Sequence, residues 1–282
     1  MTQTPTTQDF TLSPEQREAF AQRGVIRLPG LLSAEAVRRA REAVLEPLAR
    51  LGLWRDGAWR LGALPRPQWP ATGLKTSKAI GNKRPEIEAL LDEPVLLAAV
   101  DALLEGRPFD RRVFHRPQVL FTLPNIDAWR IPPGWHADGP RLASGMSPGV
   151  QMFACLDRVE AQGGGTLMVA GSHRLLNEAG RFLRARDLTQ GLRREPFFRE
   201  LFAGRASAAD GLPRARIGDV PVEVIECVGA PGDGYLVDLR TLHVGAPNAS
   251  DRPRMMVTHR FMRADVMREI AEAYGWTGEA EP

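Results

Sequence analysis

Cysteine is scarce in this sequence, which has only Cys155 and Cys227 among 282 residues. The two are too far apart in the chain to form the closely spaced pairs of a structural zinc site. Both lie in apolar segments typical of strands. This placement favours two buried free thiols, with a disulfide left open.

An excess of one charge and a long apolar run are also missing. The 37 basic residues are nearly balanced by 34 acidic ones, whereas nucleic-acid binding usually brings a strong basic bias. No apolar run approaches the roughly 20 residues that cross a bilayer. Residues 1–10 lack the basic start and apolar stretch of a signal peptide. We therefore expect a cytoplasmic protein without nucleic-acid or membrane partners.

The first third of the chain has the pattern of helices. Ser13 followed by Pro14 is a helix start, and Ser33 opens a second helix. The apolar residues of that second helix recur at helical spacing: Val37, Ala40, Val44 and Leu48. A short strand is expected over 24–30, and a third helix over 85–104.

From residue 111 the pattern changes to short strands separated by turn residues. The expected strands are 112–123, 150–156, 165–170, 222–228, 234–238 and 254–261. We expect one domain over 1–282, mainly β with flanking α. Its parts are a flexible tail (1–10), a mostly helical part (11–110) that covers one side of a β-barrel or sandwich, the β core (111–262) and a C-terminal tail (263–282).

A segment that looks helical, 175–216, interrupts the strands. It is rich in arginine: Arg181, Arg184, Arg186, Arg193, Arg194, Arg199 and Arg205. Insertions of this length are often lids, and Arg193 and Arg194 are candidates for receiving an anionic substrate. A solvated pair of helices is the favoured alternative, because acidic residues are interspersed.

The residues that point to chemistry are His136 and Asp138. Side chains two residues apart on an extended segment point to the same side, so both can reach one metal ion. His243, just after an apolar strand, is the best candidate for a third ligand, although a core histidine is the alternative reading. Two histidines and one carboxylate leave three positions open on an octahedral iron.

Arg254 begins the strand that follows His243. We expect this strand to run back antiparallel to the strand leading to His243, which would bring a guanidinium close to the metal. Arginine is suited to gripping a carboxylate at two points. A surface ion pair is the alternative.

These motifs together resemble the phytanoyl-CoA dioxygenase family of iron(II)/2-oxoglutarate oxygenases. The residues that carry the resemblance are His136-Ala137-Asp138, the stretch from Gly163 to Arg174 (GGGTLMVAGSHR), His243 and Arg254. The resemblance spans about residues 20 to 262. It implies a double-stranded β-helix, also called a jelly roll and similar to the cupins, with the N-terminal helices packed on the major sheet.

The resemblance also implies cofactors and roles. Iron(II) is held by His136, Asp138 and His243, Arg254 binds the distal carboxylate of 2-oxoglutarate, and O2 is the other cosubstrate. The iron centre itself is catalytic, with no separate acid or base. The implied activity is hydroxylation of a small molecule. Family halogenases replace the carboxylate by Gly or Ala, so the presence of Asp138 disfavours halogenation.

The resemblance implies roles for further residues less strongly. Gln118 and Thr166 are candidates for contacting 2-oxoglutarate, and Lys75 or Lys78 matches a family lysine, although we favour structural roles for the lysines. Further candidates near the pocket are Trp129, Trp135 and His173. For His115 and His259 we expect packing roles.

Several functions stay open at this point. The same cofactors also support desaturation, epoxidation and cyclisation. A demethylase of protein or nucleic acid has the same fold, but the even charge balance argues against nucleic acid. A non-catalytic jelly-roll module is a further alternative, and zinc would also accept two histidines and one carboxylate.

Overall fold

The computed structural model describes residues 10–61, 84–111, 116–124, 128–176 and 183–274. Within these ranges the protein is mainly β, with two larger antiparallel sheets and seven α-helices. The helices are α1 (Pro14–Arg23), α2 (Ala34–Arg50), α3 (Pro85–Glu88), α4 (Pro94–Leu103), α5 (Ala185–Leu192), α6 (Pro196–Phe202) and α7 (Val266–Tyr274). None of these described helices combines the length and apolar character that a bilayer-crossing segment needs.

Twelve strands are found in the same ranges. They are β1 (Val25–Leu28), β2 (Trp54–Arg55), β3 (Ala58–Trp59), β4 (Phe109–Asp110), β5 (Gln118–Thr122), β6 (Gly149–Cys155), β7 (Thr166–Ala170), β8 (Arg214–Ile217), β9 (Val220–Glu226), β10 (Gly234–Asp238), β11 (His243–Gly245) and β12 (Arg254–Arg263). The major sheet has the order β1-β10-β6-β12-β4, with β5 also paired to β12, and the minor sheet has the order β11-β7-β9-β8. β2 and β3 form a separate hairpin.

The two sheets pack face to face. Phe153, Tyr235 and Met256 of the major sheet share one apolar cluster with Met168 and Ala170 of the minor sheet. Since side chains alternate along a strand, the neighbours of these residues point to the outer faces. Each strand therefore presents one set of residues to the space between the sheets and another to the helices.

The N-terminal helices cover the outer face of the major sheet, as expected from the sequence. Val37, Val44 and Leu48 of α2 belong to the same apolar cluster as Met152 and Val257 of the sheet. α1 begins with the expected cap at Ser13, whose hydroxyl accepts from the Gln16 amide while the Gln16 side chain accepts from the Ser13 amide.

The helices of the 175–216 segment cover the minor sheet. Leu188 and Leu192 of α5 and Phe198 of α6 are buried in one cluster with Leu167 and Val169 of β7. The buried faces fix both helices on the domain. The exposed arginines lie on their other side.

The third helix was predicted as one element, and this was wrong. α3 ends at Glu88, a 3-10 turn follows over Ala89–Asp92, and α4 begins at Pro94. Proline lacks an amide proton and forces the preceding residue out of the helical region. Glu93 accordingly has φ −62° and ψ 123°.

Three further expectations need correction. The end of the 175–216 segment is not helical, because Arg214 begins β8, which pairs with β9. β12 does not pair with β10; β6 lies between them and is antiparallel to both. The expected C-terminal tail contains α7.

The two cysteines are free and buried, as the sequence favoured. Cys227 Sγ lies 3.7 Å from the sulfur of Met168. Burial raises the pKa of Cys155 to about 12. The thiol is therefore protonated at neutral pH, which suits a packing role.

Candidate active site

The structure brings together the three predicted metal ligands. His136 and His243 exchange both backbone hydrogen bonds across an isolated bridge, with N···O distances of 3.1 and 2.8 Å. His243 Nε2 lies 3.3 Å from Asp138 Oδ2, and His136 Nε2 lies 3.8 Å from Asp138 Oδ1. One ligand atom from each of the three residues lies within 4.8 Å of the others. This grouping could hold one metal ion.

Both imidazoles are oriented by backbone carbonyls. His136 Nδ1 lies 3.0 Å from the Gly134 carbonyl, and His243 Nδ1 lies 3.1 Å from the Thr241 carbonyl. A carbonyl oxygen can only accept, so Nδ1 donates and Nε2 keeps its lone pair for a metal. The side chain of His136 is 52% exposed and that of His243 only 6%, so the site opens on the side of His136.

Asp138 has two polar partners that were not among the predicted site residues. Arg260 donates from Nε and Nη2 to Oδ2 at 2.9 and 2.5 Å, and Gln151 donates from Nε2 to the same oxygen at 2.8 Å. Burial raises the pKa of Asp138, but the neighbouring His243 and Arg260 outweigh it and hold the pKa below its ordinary value. The carboxylate is therefore ionised and ready to bind a cation.

A sequence signal for Arg260 did exist. Arg254 and Arg260 lie an even number of residues apart on β12, so they share one face of the strand. Once Arg254 was assigned to the interior, the same alternation would have placed Arg260 there too.

The surroundings of the Arg254 guanidinium suit the binding of a carboxylate. The residue is 7% exposed. Its Nη2 donates to Thr122 Oγ1 at 2.7 Å, whereas Nε and Nη1 are buried and have no hydrogen-bond partner within the described part of the chain. Burial lowers the pKa of Arg254 to about 10. A buried guanidinium with two unpartnered nitrogens is costly unless an anion fills the space beside it, and a carboxylate of 2-oxoglutarate suits that role.

Gln118 and Thr166 lie on the interior side of their strands. Gln118 is the register partner of Thr258 on β12. Thr258 lies four residues after Arg254 and on the same face of that strand. Thr166 is buried and shares its face of β7 with Met168, which packs between the sheets. Contacts of these residues with 2-oxoglutarate stay predictions.

His173 packs against the end of α1. It is buried, its Nε2 lies 3.0 Å from the Ala21 carbonyl, and its Nδ1 side abuts Gly24 at the end of α1. Burial lowers the pKa of His173, which keeps the ring neutral. These contacts give the residue a structural role at the end of α1.

Trp135 points outward. It lies in the apolar cluster on the outer face of the minor sheet, as does Ala137, because both alternate with the inward His136 and Asp138. Trp129 packs against the same cluster. Both tryptophans thus brace the segment that carries the ligands.

The remaining candidates also lie apart from the ligands. Arg193 and Arg194 are exposed, and the Arg193 guanidinium lies 5.2 Å from the centre of the Phe202 ring. His259 Nε2 lies 2.7 Å from the Arg111 carbonyl, in agreement with a packing role. Lys75, Lys78 and His115 lie outside the described residues.

Two solved structures have a similar fold. The α-ketoglutarate-dependent carbocyclase SnoK from nogalamycin biosynthesis is 20% identical, with a TM-score of 0.59 over 93% of this chain and 88% of that one. HygX from Streptomyces hygroscopicus, solved with nickel and 2-oxoglutarate bound, is 18% identical, with a TM-score of 0.52 over 90% of this chain and 88% of that one. At such identities the likeness concerns the fold.

The family comparison goes further. No curated protein sequence matches this chain. The family model described as phytanoyl-CoA dioxygenase matches residues 20–256, well over half of the chain. The protein therefore belongs to the phytanoyl-CoA dioxygenase family and is an oxygenase that depends on iron and 2-oxoglutarate.

Proposed function

We propose that the protein hydroxylates an unactivated C–H bond of a small-molecule metabolite. The observation that carries this proposal is that the space between the two sheets holds both a group of two histidines and one carboxylate and a buried arginine with two nitrogens unpartnered among the described residues. The first suits iron(II) and the second suits the distal carboxylate of 2-oxoglutarate. A zinc hydrolase would need the first feature and not the second.

The roles are divided among few residues. His136, Asp138 and His243 hold the iron. Arg254, supported by Thr122, anchors 2-oxoglutarate, with Gln118 and Thr166 as further contacts. When bound, iron and 2-oxoglutarate supply the oxidising chemistry, consuming dioxygen and releasing succinate and carbon dioxide.

The protein itself positions the substrate and excludes water from the buried side of the site. The ring of Phe153 packs edge-on against His243, with 5.4 Å between the ring centres. Met168 and Met256 line the same interior cluster. Apolar neighbours of this kind keep water from the buried side of the site, so the substrate approaches from the side of His136. No separate acid or base is proposed.

The two facing sheets support a finer reading of the fold. We infer that they form the double-stranded β-helix of the cupin-like oxygenases within one domain over 1–282. Face-to-face packing through the Phe153–Met168–Met256 cluster is what supports this reading. Location in the cytoplasm stays a prediction.

Hydroxylation has an alternative within the same chemistry. SnoK is a carbocyclase, and SnoN is an epimerase on a similar fold, 19% identical with a TM-score of 0.50 over 89% of this chain and 83% of that one. The fold thus accommodates other oxidative outcomes, and cyclisation, desaturation or epoxidation stays open here. Whether the substrate is anionic or carrier-linked is also open.

The first experiment needs no substrate. Iron(II) and 2-oxoglutarate are added to the protein without oxygen, and the weak visible charge-transfer band is measured. We expect the band in the wild type and its loss in Asp138→Ala. A wild type without the band, or an Asp138→Ala protein with full 2-oxoglutarate turnover, would disprove the proposed function. A metabolite screen for substrate-stimulated succinate release then identifies the substrate.

A further inference from the structure

The carboxylate of Asp138 is held unequally at its two oxygens. Oδ2 accepts three hydrogen bonds, two from Arg260 and one from Gln151. Oδ1 accepts none from any described residue and lies 3.8 Å from His136 Nε2, one of the candidate ligand atoms. One oxygen is therefore occupied by the protein and the other is free.

The strands fix both donors in place. Arg260 of β12 and Gln151 of β6 are register partners across the major sheet, so their side chains emerge side by side. Gln151 is 2% exposed, and its Nε2 also lies 3.2 Å from Thr258 Oγ1. Turning its amide over would set Oε1 against Asp138 Oδ2, acceptor against acceptor, so the donor orientation is determined.

We propose that Arg260 and Gln151 are positioning residues that grip Asp138 by Oδ2, so that Oδ1 alone is offered to the metal. This inference rests on the proposed function. A carboxylate that bound with both oxygens would occupy one more metal position. Single-oxygen binding keeps three positions open, which the cosubstrate and dioxygen require.

Two effects of Arg260 oppose each other. Its positive charge repels a metal cation, whereas its two hydrogen bonds fix the carboxylate in the binding orientation. Partners of metal ligands typically contribute about 10- to 100-fold to metal affinity. We expect orientation to prevail, because without Arg260 the carboxylate is free to rotate, and Oδ2, which already lies 3.3 Å from His243 Nε2, can then compete with Oδ1 for the metal.

The test is the affinity for Co2+ in the full chain, measured by calorimetry without oxygen. Three variants separate charge from hydrogen bonding: Arg260→Lys keeps the charge with a single donor nitrogen, Arg260→Gln removes both the charge and the Nη2 donor, and Gln151→Leu removes the second partner. Arg252→Gln is the matched control, since Arg252 lies on the loop before β12, is 49% exposed and pairs with Asp157.

We expect Arg260→Gln to raise the Co2+ Kd by roughly tenfold or more, Gln151→Leu by a smaller factor, and Arg260→Lys to retain most of the affinity. The intensity of the Co2+ d–d absorption should also change in Arg260→Gln, because a second carboxylate oxygen alters the coordination number. Arg252→Gln should match the wild type in both measurements.

The outcomes are distinguishable. If Arg260→Gln binds Co2+ as tightly as the wild type or more tightly, Arg260 competes with the metal and the inference is wrong. If Arg260→Gln fails to fold, Gln151→Leu decides: unchanged affinity and spectrum overturn the inference. A wild type that binds no Co2+ overturns the proposed function as well, whereas a binding wild type with unaffected variants overturns this inference alone.

Discussion

His136 and His243 come from distant parts of the chain and hold each other in place through two backbone hydrogen bonds. Their side chains are not needed for this bridge. The bridge sets the two backbones side by side, and the two ring centres lie 4.5 Å apart.

His136→Ala should therefore abolish metal binding at little cost in stability. The bridge uses backbone atoms that alanine retains, and the side chain is 52% exposed, so we expect the free energy of unfolding to change by no more than about 0.5 kcal/mol. Calorimetry with Co2+ measures the loss of metal binding, and thermal melting measures the change in stability. A variant that binds Co2+ like the wild type would remove His136 from the ligand set.

Arg254→Met should weaken 2-oxoglutarate binding by roughly a hundredfold. Loss of one partner from a buried, hydrogen-bonded charge pair costs about 2–5 kcal/mol, and about 1.4 kcal/mol corresponds to tenfold. Thr122→Val, which removes only the partner of Nη2, should cost roughly tenfold or less. Titration of the charge-transfer band measures both.

The metal Kd is the control for this pair of variants and should stay unchanged in both. Wild-type affinity for 2-oxoglutarate in Arg254→Met would show that another residue anchors the cosubstrate.

The ion pair of Asp238 with Arg240 should make the free energy of unfolding decrease as the pH falls. Its carboxylate is buried and receives Arg240 Nε and Nη2 at 2.9 and 2.8 Å. Burial raises the pKa of Asp238, but the charge and hydrogen bonds of Arg240 outweigh it and lower the pKa. The unfolded chain takes up the proton first, so this contribution is present above the ordinary Asp pKa of about 3.9 and is lost as the pH falls below it.

Asp238→Asn tests this assignment. At pH 7 the variant should lose about 3–5 kcal/mol, because Arg240 keeps a buried charge without its partner. Its melting temperature should also fall less steeply than that of the wild type between pH 5 and 3. Parallel pH profiles for the two proteins would show that other carboxylates govern the acid transition.

Arg193→Gln combined with Arg194→Gln should leave substrate KM within about twofold. Both side chains are exposed, and Arg193 lies over Phe202. Phe198→Ala is the contrasting variant, since Phe198 is fully buried and its loss should cost about 3–5 kcal/mol. A large rise in KM in the double variant would instead support an anionic substrate and a lid.

The sequence predicted what depends on local patterns. The caps at Ser13 and Ser33, the strand 234–238 and the shared side of His136 and Asp138 all follow from neighbouring residues. The break at Pro94 is also visible locally, because proline restricts the backbone of the residue before it.

Strand order and the partners of Asp138 could not be predicted in the same way. That β6 lies between β10 and β12 depends on which strands pair across the sheet, and pairing is not encoded in any one segment. Arg260 and Gln151 meet Asp138 only because of that pairing. Residues of this kind become visible when the register is known.

The unpartnered N–H groups of Arg254 couple the cosubstrate to folding. An anion that binds there relieves a cost that the free protein carries, so 2-oxoglutarate acts as a ligand of the native state alone and raises its melting temperature with concentration. The enzyme is then most resistant to unfolding and proteolysis when the supply of 2-oxoglutarate is ample. The abundance of the protein in a cell would follow the level of a central metabolite without any dedicated regulator.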